Sequence, residues 1–383
     1  MKRIRAHRMF FVLCLALLSI FGLTGAESTP IVVPPAASTT DSVIDPVSGP
    51  RSDSRNSALL SPATAAIASA QWTKYEGNPV FGPGPSGSWD SSGVGTPSIL
   101  FKAGHYELWY SGYSGPTSSY RIGFATSPDG VNWTRSQNNP VLVTGSPGAW
   151  DSGYVIVPHV VFHDGIYKMW YRGTDDPTAG LHAGIGYATS TDGVTWIKYG
   201  GNPVLTVGSD GSWDDGSLFS ANVVIEGSTY KMWYSGVDET GSRIGYATSP
   251  DGVNWTKYDG NPVLSLGSSG SWDSSYVYYP NVLHNGSTYE MWYSGYSGSA
   301  YAIGYATSTD GVNWDRYPEN PVVTTGPVDS WDSKYVLTSP VIAQSGTYKM
   351  WYTGRDASNV NRIGYAVSPG GVIRFVYLPL TLR

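Results

Sequence analysis

The chain has 383 residues, of which 14% are aromatic and 14% are charged, and its formal net charge is −6. This length accommodates one large domain or two, and abundant aromatic residues with few charges are typical of a β-rich protein with large packed surfaces. Because no basic patch stands out, the composition argues against a polyanion such as nucleic acid as a partner.

The N-terminal segment predicts a secretory signal peptide over residues 1–26. A basic stretch, MKRIRAHR, precedes the apolar run MFFVLCLALLSIFGL, and Thr24-Gly25-Ala26 offers small residues for cleavage. An uncleaved membrane anchor is the alternative, but the apolar run is short, so we expect no membrane span in the mature chain. Cleavage would remove the only cysteine, Cys14, and leave a net charge of about −10. We therefore expect a secreted protein, with cell-surface association as an option.

The rest of the chain is a linker followed by a repeated sequence. Residues 27–70 are rich in Ser, Thr, Ala and Pro without sustained periodicity, which indicates a linker. From Trp72 onward every Trp occupies one of three repeat positions, and successive first-position Trp residues are 61, 63, 59 and 59 residues apart. The first position is occupied by Trp72, Trp133, Trp196, Trp255 and Trp314, the second by Trp89, Trp150, Trp213, Trp272 and Trp331, and the third by Trp109, Trp170, Trp233, Trp292 and Trp351. We number the units that begin at the second-position Trp residues copies 1 to 5. A regular period of this size indicates a repeat architecture.

Each copy predicts four strands. In copy 4 these are Pro280–His284, the segment YEMWYSG, the segment AIGYATS, and VNW with the residues that follow it. Such aromatic and β-branched runs between Gly, Asn and Asp turns are strand signals. Four-stranded sheets arranged around an axis are the blades of a propeller, so five copies predict an all-β, five-bladed β-propeller over residues 71–375, followed by a tail at 376–383.

The two ends of the repeat predict how the ring closes. A strand at Gln71–Tyr75 precedes any complete blade, and SPGGVIRF from Ser368 replaces SPDGVNW where the last fourth strand is expected. We expect the N-terminal strand to complete the last blade. The competing candidate for that edge is Ile373–Leu380, and the sequence leaves both open.

A turn of sequence Asp-Gly joins the third and fourth predicted strands. It recurs as Asp129-Gly130, Asp192-Gly193, Asp251-Gly252 and Asp310-Gly311. Asp-Gly between apolar runs predicts a hairpin, because Gly accepts a positive φ. The surrounding S-x-D-G-x-x-W resembles the Asp-box hairpin of sialidases and other propellers, and this resemblance implies a structural role. The Asp of the recurrent Trp-Asp pair is likewise interpreted as a structural, loop-capping residue.

Differences in length between copies indicate the functional face. All variation in length lies in the loop between the second and third strands, and insertions on one face of a repeat protein commonly mark its binding face. Copy 2 has the longest loop, residues 173–184, preceded by Arg172 and containing Asp175, Asp176 and His182. Copy 5 has a related Arg355. A solvated surface loop with a local salt bridge is the alternative.

The innermost strand supplies a second set of candidates. Nine residues after the second-position Trp the copies carry Ser98, His159, Asn222, Asn281 and Pro340. Side chains at this position face the axis, so they suit hydrogen bonding to a hydroxyl-rich ligand, or else they line a water-filled channel. Five residues earlier are Tyr154, Tyr276 and Tyr335, which either stack on sugar rings at the channel mouth or simply pack.

The pattern W…NPV…WD…P…YKMWYSG…IGYATSxDGVNW resembles the five-bladed propellers of the arabinanase, levansucrase and invertase group. That group contains glycoside hydrolase families 43 and 32 and the related mannoside phosphorylases of family 130. The resemblance implies a carbohydrate-active propeller. In family 43 a catalytic Asp precedes a Pro on the innermost strand of the first blade, with two further carboxylates from later blades. The matching positions here carry Thr96, Val157, Ser220, Tyr279 and Thr338, and none is acidic.

The resulting hypothesis is a glycoside hydrolase-like protein acting on a plant or microbial polysaccharide or oligosaccharide. Glycoside hydrolysis needs two carboxylates, and Asp175, Asp176 and Asp215 are the candidates. The alternatives are a non-catalytic sugar-binding propeller and a cell-surface protein-interaction propeller. We expect a monomer without a cofactor. Whether His159 near the axis helps to hold a cation is left open, and a structural His is the favoured interpretation because a lone His is weak evidence for a metal site.

Overall fold

The structure is a computed structural model and describes residues 72–115, 119–176, 183–337 and 340–369. The expected signal peptide at 1–26, the linker at 27–70, the competing strand at Ile373–Leu380 and the tail at 376–383 lie outside these residues. Within them the chain forms strands, turns and irregular segments, and they contain no helix of the length and apolarity needed to cross a membrane.

The strands form antiparallel sheets: copies 1 and 2 each form a four-stranded sheet, copies 3 and 4 share a nine-stranded sheet, and copy 5 forms a five-stranded sheet together with β1 (Thr73–Lys74). Copy 1 forms β2 (Gly93–Lys102), β3 (His105–Tyr113), β4 (Arg121–Ser127) and β5 (Thr134–Arg135). Copy 2 forms β6 (Tyr154–His163), β7 (Ile166–Thr174), β8 (Gly184–Ser190) and β9 (Ile197–Lys198). Copy 3 forms β10 (Ser217–Glu226), β11 (Thr229–Asp238), β12 (Gly241–Ser249) and β13 (Thr256–Lys257).

The last two copies contain extra short strands. Copy 4 forms β14 (Tyr276–His284), β15 (Tyr289–Tyr296), β16 (Tyr301–Ser308) and β17 (Asp315–Arg316), and β18 (Val323–Thr324) pairs with β16. A single parallel bridge, Ser242 to Tyr276, links this sheet to that of copy 3. Copy 5 forms β19 (Tyr335–Leu337), β20 (Val341–Gln344), β21 (Thr347–Arg355) and β22 (Asn361–Pro369). β1 pairs with β22, with Thr73 opposite Val367.

Two strand boundaries differ from the sequence-based prediction for a local reason. The first strand of copy 4 begins at Tyr276, four residues before the predicted Pro280, because a β-bulge between Tyr278 and Asn281 lets the strand continue past the proline. The fourth strand is only Asp315–Arg316. Trp314 and the residues before it form the Asp-box turn instead, where the Trp314 indole N–H donates to the Gly311 carbonyl at 3.1 Å.

The Asp-box residues have the structural role that the resemblance implied. Gly193 has a φ of 78°, a region that favours glycine, and its N–H donates to Ser190 Oγ at 2.8 Å. Asp192 Oδ1 accepts the N–H groups of Val194 and Thr195 at 2.8 and 2.7 Å. These bonds lower the pKa of Asp192 to about 2. The Asp192 carboxylate therefore stabilises the turn through these hydrogen bonds.

The hydrophobic core lies between neighbouring sheets. Each third-position Trp is fully buried, and Trp109 of copy 1 donates its indole N–H to the carbonyl of Gly193 in copy 2 at 2.8 Å. The same bond joins Trp351 of copy 5 to Gly130 of copy 1 at 2.7 Å. One core cluster accordingly combines residues of copies 5 and 1. The last copy therefore packs against the first.

The Asp of each Trp-Asp pair is a buried ion-pair partner. The five pairs are Asp90–Arg135, Asp151–Lys198, Asp214–Lys257, Asp273–Arg316 and Asp332–Lys74. Each Asp also accepts a Tyr hydroxyl from the second strand of its own copy, as Asp332 does from Tyr352 at 3.0 Å. In copies 1 to 4 the cation follows in the same copy, whereas Asp332 receives Lys74 from β1 at 2.6 Å. These carboxylates therefore link the second and fourth strands of a sheet, which is a larger structural role than the loop capping expected from the sequence.

Candidate functional site

The innermost strands surround a small cavity that is lined by the candidates of the axial position. Its wall contains Ser98, His159, Asn222, Asn281 and Pro340, one residue from each copy. The cavity volume is about 40 Å³. Ligand sites for small molecules have volumes of about 300–1,000 Å³, so this space accommodates water and excludes a sugar ring unless the wall moves.

The polar side chains of this wall are bonded to the neighbouring copies. Ser98 Oγ accepts the Val160 N–H at 2.9 Å, Asn222 Oδ1 accepts the Val282 N–H at 3.1 Å, and Asn281 Oδ1 accepts the Val341 N–H at 3.0 Å. Each bond joins one innermost strand to the next. Ser98, Asn222 and Asn281 therefore help to hold neighbouring innermost strands together, while their role in binding a substrate stays a prediction.

His159 makes the corresponding contact as a donor. Its Nε2 lies 3.0 Å from the Val223 carbonyl, so this nitrogen carries the proton, and Nδ1 lies 3.4 Å from Asn222 Nδ2. Burial lowers the pKa of His159 to about 4, although the bond to the carbonyl opposes this shift. The imidazole is therefore neutral at pH 7. Among the described residues, no group of three His, Cys, Asp or Glu side chains is placed to hold a metal ion.

A strained backbone position adjoins this wall. Thr96, Val157 and Tyr279 each precede a proline and have φ values of 42°, 56° and 51°. These are the positions that match the catalytic Asp of family 43, and they lie in the β-bulges of the innermost strands. Sequence reasoning missed the hydroxyl groups that hold them. The Val157 N–H donates to Ser111 Oγ at 2.9 Å and the Tyr279 N–H to Ser235 Oγ at 2.8 Å. The only sequence signal for this was the recurrent Ser of the YSG motif.

Tyr154, Tyr276 and Tyr335 are packed inside an aromatic cluster. Their side chains are buried together with Tyr278 and Tyr279. Burial raises the pKa of Tyr335, which therefore remains a neutral phenol, and its hydroxyl donates to Asn361 Oδ1 at 2.6 Å. In this arrangement the three rings offer no open face for a sugar, so packing is the role that the geometry describes.

Two arginines are buried beside this cluster. The Arg172 guanidinium carbon lies 4.0 Å from the ring centre of Phe219 and 5.2 Å from that of Tyr154. Arg172 Nη2 also donates to Ser217 Oγ, at 3.4 Å. Arg355 lies 5.6 Å from the ring centre of Tyr335. Cations over aromatic faces are stabilised by the ring quadrupole.

The acidic candidates lie around the same part of copy 2 and the start of copy 3. Asp175 is exposed and Asp176 is half-buried, directly beyond the end of β7. Asp215 precedes β10, and its Oδ2 accepts the Gly211 N–H at 2.7 Å. Because Arg172 of β7 meets Ser217 of β10, the structure brings the two segments that carry these acids to the same junction. His182, the last charged candidate of this loop, lies outside the described residues.

Part of the chain resembles a family of mannoside-processing enzymes. The family model for β-1,4-mannooligosaccharide phosphorylases, glycoside hydrolase family 130, matches residues 216–354. The sequence is 29% identical to an uncharacterized protein of Mycobacterium tuberculosis over 72% of this chain and 92% of the relative. It is 26% identical to a 1,2-β-oligomannan phosphorylase of Thermoanaerobacter over 61% of this chain and 75% of the relative.

Solved structures of two carbohydrate-active proteins have a similar fold. A β-1,2-mannobiose phosphorylase from Listeria innocua has a TM-score of 0.60 and 14% identity, with 77% of this chain and 96% of that one covered. A glycosyl hydrolase from Bacteroides ovatus has a TM-score of 0.62 and 19% identity, with 78% and 94% covered. The chain thus resembles the family 130 proteins, which confirms the resemblance inferred from its sequence.

Proposed function

We propose that the protein is a secreted, carbohydrate-active, five-bladed propeller that cleaves β-linked manno-oligosaccharides. The observation that carries the proposal is the family 130 match over residues 216–354, which extends from copy 3 into copy 5. The 26% identity to a 1,2-β-oligomannan phosphorylase supports the same sugar. The fold alone would not identify the substrate, because propellers host many functions.

Two long-range contacts support five blades closed by the N-terminal strand. The indole of Trp351 bonds to Gly130, so copy 5 adjoins copy 1. In copies 1 to 4 the cation that pairs with the Asp comes from the fourth strand of the same copy. In copy 5 the cation that pairs with Asp332 is Lys74 of β1. An N-terminal strand that completes the last blade accounts for both contacts.

The junction of copies 2 and 3 is the proposed catalytic region. Hydrolysis needs an acid and a second carboxylate, whereas attack by phosphate needs one acid and a cation for the phosphate. In either case the C1–O bond breaks, the oxygen of water or phosphate bonds to C1, and a carboxylic acid gives its proton to the leaving oxygen. Asp175, Asp176 and Asp215 are the proposed acids, and Arg172, which bonds to Ser217 at the same junction, is the proposed cation.

The test compares cleavage of β-1,2- and β-1,4-mannobiose with and without inorganic phosphate. We expect two molecules of mannose if water is the acceptor, and one of mannose with one of mannose 1-phosphate if phosphate is. The Asp215→Asn variant and the double variant Asp175→Asn/Asp176→Asn identify the acid, since its loss should lower kcat by at least about 100-fold. Asp210→Asn, an exposed residue of the same turn as Asp215, is the matched control and should retain activity. An absence of cleavage of both sugars, with and without phosphate, would contradict the proposal.

One observation favours a second candidate, a non-catalytic sugar-binding propeller. Of the residues described, none that lines the axial cavity is acidic, and the cavity is only about 40 Å³. Binding of mannobiose without turnover, unchanged in Asp215→Asn and in Asp175→Asn/Asp176→Asn, would support this candidate. Export is tested separately by expression of the full chain in a bacterium and assay of the medium for a protein that lacks residues 1–26.

A further inference from the structure

A large groove lies on the outer rim of the part of the chain that the structure describes. Its volume is about 550 Å³, and it lies between the segment that follows β13 in copy 3 and the Asp box of copy 4. It shares no residue with the axial cavity. A volume in the range typical of small-molecule sites makes this groove large enough for a short oligosaccharide segment.

Tyr258 forms a flat platform at one side of the groove. Its side chain is 47% exposed, which is unusual in a chain whose other tyrosines are mostly buried. The ring lies against Gly260, since a Cβ added to that glycine would come within 2.5 Å of it. The edge of the ring contacts Tyr246, with centroids 6.3 Å apart and planes at 72°. The ring is thus held in place with one face open, and such preorganisation lowers the entropy cost of stacking a ligand.

The rest of the lining suits a neutral, hydroxyl-rich ligand. Trp314 adds a second aromatic surface, and Thr288, Thr307 and Thr309 add hydroxyl groups. Asp315 is the only charged residue of the lining, so neither an anionic nor a strongly cationic ligand is matched. Aromatic rings with an apolar face beside small hydrogen-bonding groups suit the apolar face and the hydroxyl rim of a pyranose.

The platform recurs in the chain. Tyr75 and Tyr199 are each 45% exposed, and each lies against a glycine two residues further on, Gly77 and Gly201, where an added Cβ would come within 2.5 and 2.6 Å of the ring. The other two equivalent positions differ. Copy 1 has Ser136 in place of the tyrosine, and in copy 4 the Tyr317 hydroxyl donates to Glu319 at 3.0 Å. Three equivalent platforms therefore lie on the rim.

We propose that the groove at Tyr258 binds a neutral polysaccharide chain, and that Tyr75 and Tyr199 provide two further stacking sites for the same polymer. Several weak sites on one protein raise the apparent affinity for a polymer by effective concentration, whereas a short oligosaccharide gains nothing from the repetition. The rim thereby anchors the protein to a polymeric glycan, independently of any chemistry at the junction of copies 2 and 3.

The experiment is affinity electrophoresis of the full chain in gels that contain soluble mannan, hydroxyethylcellulose or starch, with polygalacturonate as the charged control. We expect retardation in at least one neutral gel and none in polygalacturonate. Tyr258→Ala should weaken binding about tenfold, and the triple variant that also carries Tyr75→Ala and Tyr199→Ala should remove it.

Two glycines of copy 2 give a matched pair. Gly201→Ala forces the Tyr199 ring out of its position without removing it, whereas a Cβ at Gly200 has no atom within 4 Å, and neither glycine has a φ in the left-handed region. We therefore expect weaker binding for Gly201→Ala and unchanged binding for Gly200→Ala. Conversely, Ser136→Tyr/Asn138→Gly should build a platform in copy 1 and increase retardation.

The proposal is wrong if no neutral polysaccharide retards the chain, or if the triple variant migrates like the parent. Cleavage of mannobiose by the triple variant is the independent readout. Retained cleavage with lost retardation supports a rim site separate from the catalytic region, while lost retardation with lost cleavage and an unchanged circular dichroism spectrum would mean that the platforms belong to the active site. Failure of the catalytic proposal leaves the retardation experiment unaffected.

Discussion

The axis and the rim of this protein use the same kinds of residue in opposite ways. At the axis, tyrosines are buried and the polar side chains bond to the next innermost strand, around a cavity of about 40 Å³. At the rim, Tyr75, Tyr199 and Tyr258 are nearly half exposed, and Tyr258 lines a groove of about 550 Å³. A repeated position in the sequence is therefore not enough to distinguish a structural residue from a binding residue. What separates them is whether a side chain finds its partner in the neighbouring copy or in solvent.

The largest expected effect is on the ion pair between Lys74 of β1 and Asp332 of copy 5, on which the proposed ring closure depends. Asp332→Ala removes the carboxylate that pairs with Lys74 and accepts the hydroxyl hydrogen of Tyr352. Breaking a buried pair in this way costs about 3–5 kcal/mol, so we expect a fall of that size in the free energy of unfolding measured in urea. Lys74→Met should cost a similar amount, because it leaves the buried Asp332 carboxylate without its cation. Equal unfolding energies for Asp332→Ala and the parent would contradict closure through this contact.

The second prediction concerns the loss of stability at acidic pH that results from His159. Because the pKa of His159 is about 4 in the folded chain and 6.5 in the reference state, the unfolded chain binds the proton more readily between these values. The contribution of neutral His159 to the free energy of unfolding is therefore fully present above pH 6.5. It is lost as the pH falls to 4 and below, by up to about 3 kcal/mol. His159→Asn, which copies the residue of copies 3 and 4, should keep stability at pH 7 and reduce the loss. Unfolding in urea at pH 7, 5.5 and 4 measures it, and an identical pH dependence in the variant would be evidence against burial of the imidazole.

A third prediction sharpens the structural interpretation of the axis. Asn281→Ala leaves the Val341 N–H without its acceptor, so we expect a loss of about 1–3 kcal/mol in the free energy of unfolding. Retardation in polysaccharide gels should not change. If instead the stability is kept and sugar binding is lost, Asn281 is a ligand-binding residue, as its position in the sequence first suggested.

The smallest effect is expected at the rim. Tyr258 is 47% exposed and packs only on one side, so Tyr258→Ala should change the free energy of unfolding by no more than about 1 kcal/mol. The same urea titration measures it. A loss as large as that of Asp332→Ala would show that the rim ring is part of the scaffold and would remove the contrast between the two regions.

Much of the fold could be predicted because its signals are local. Asp-Gly turns such as Asp192-Gly193 need only residues close in sequence, and alternating aromatic segments specify strands without knowledge of their neighbours. The candidate site was predicted less well. Its residues were chosen because copies differ there, and difference in sequence does not reveal that Tyr154 is buried or that Asp215 accepts the Gly211 N–H.

The repeat, the order of the strands and the positions of the structural turns follow from the sequence, since they depend on spacing and on side chains a few residues apart. The partners of Asn281 and Lys74 emerge only in the folded chain, because they are 60 and 258 residues away. The tertiary structure also decides that Tyr258 faces a groove while Tyr335 is enclosed. The physical reason is that solvent exposure and hydrogen-bond partners are set by the packing of one copy on the next, which no residue specifies alone.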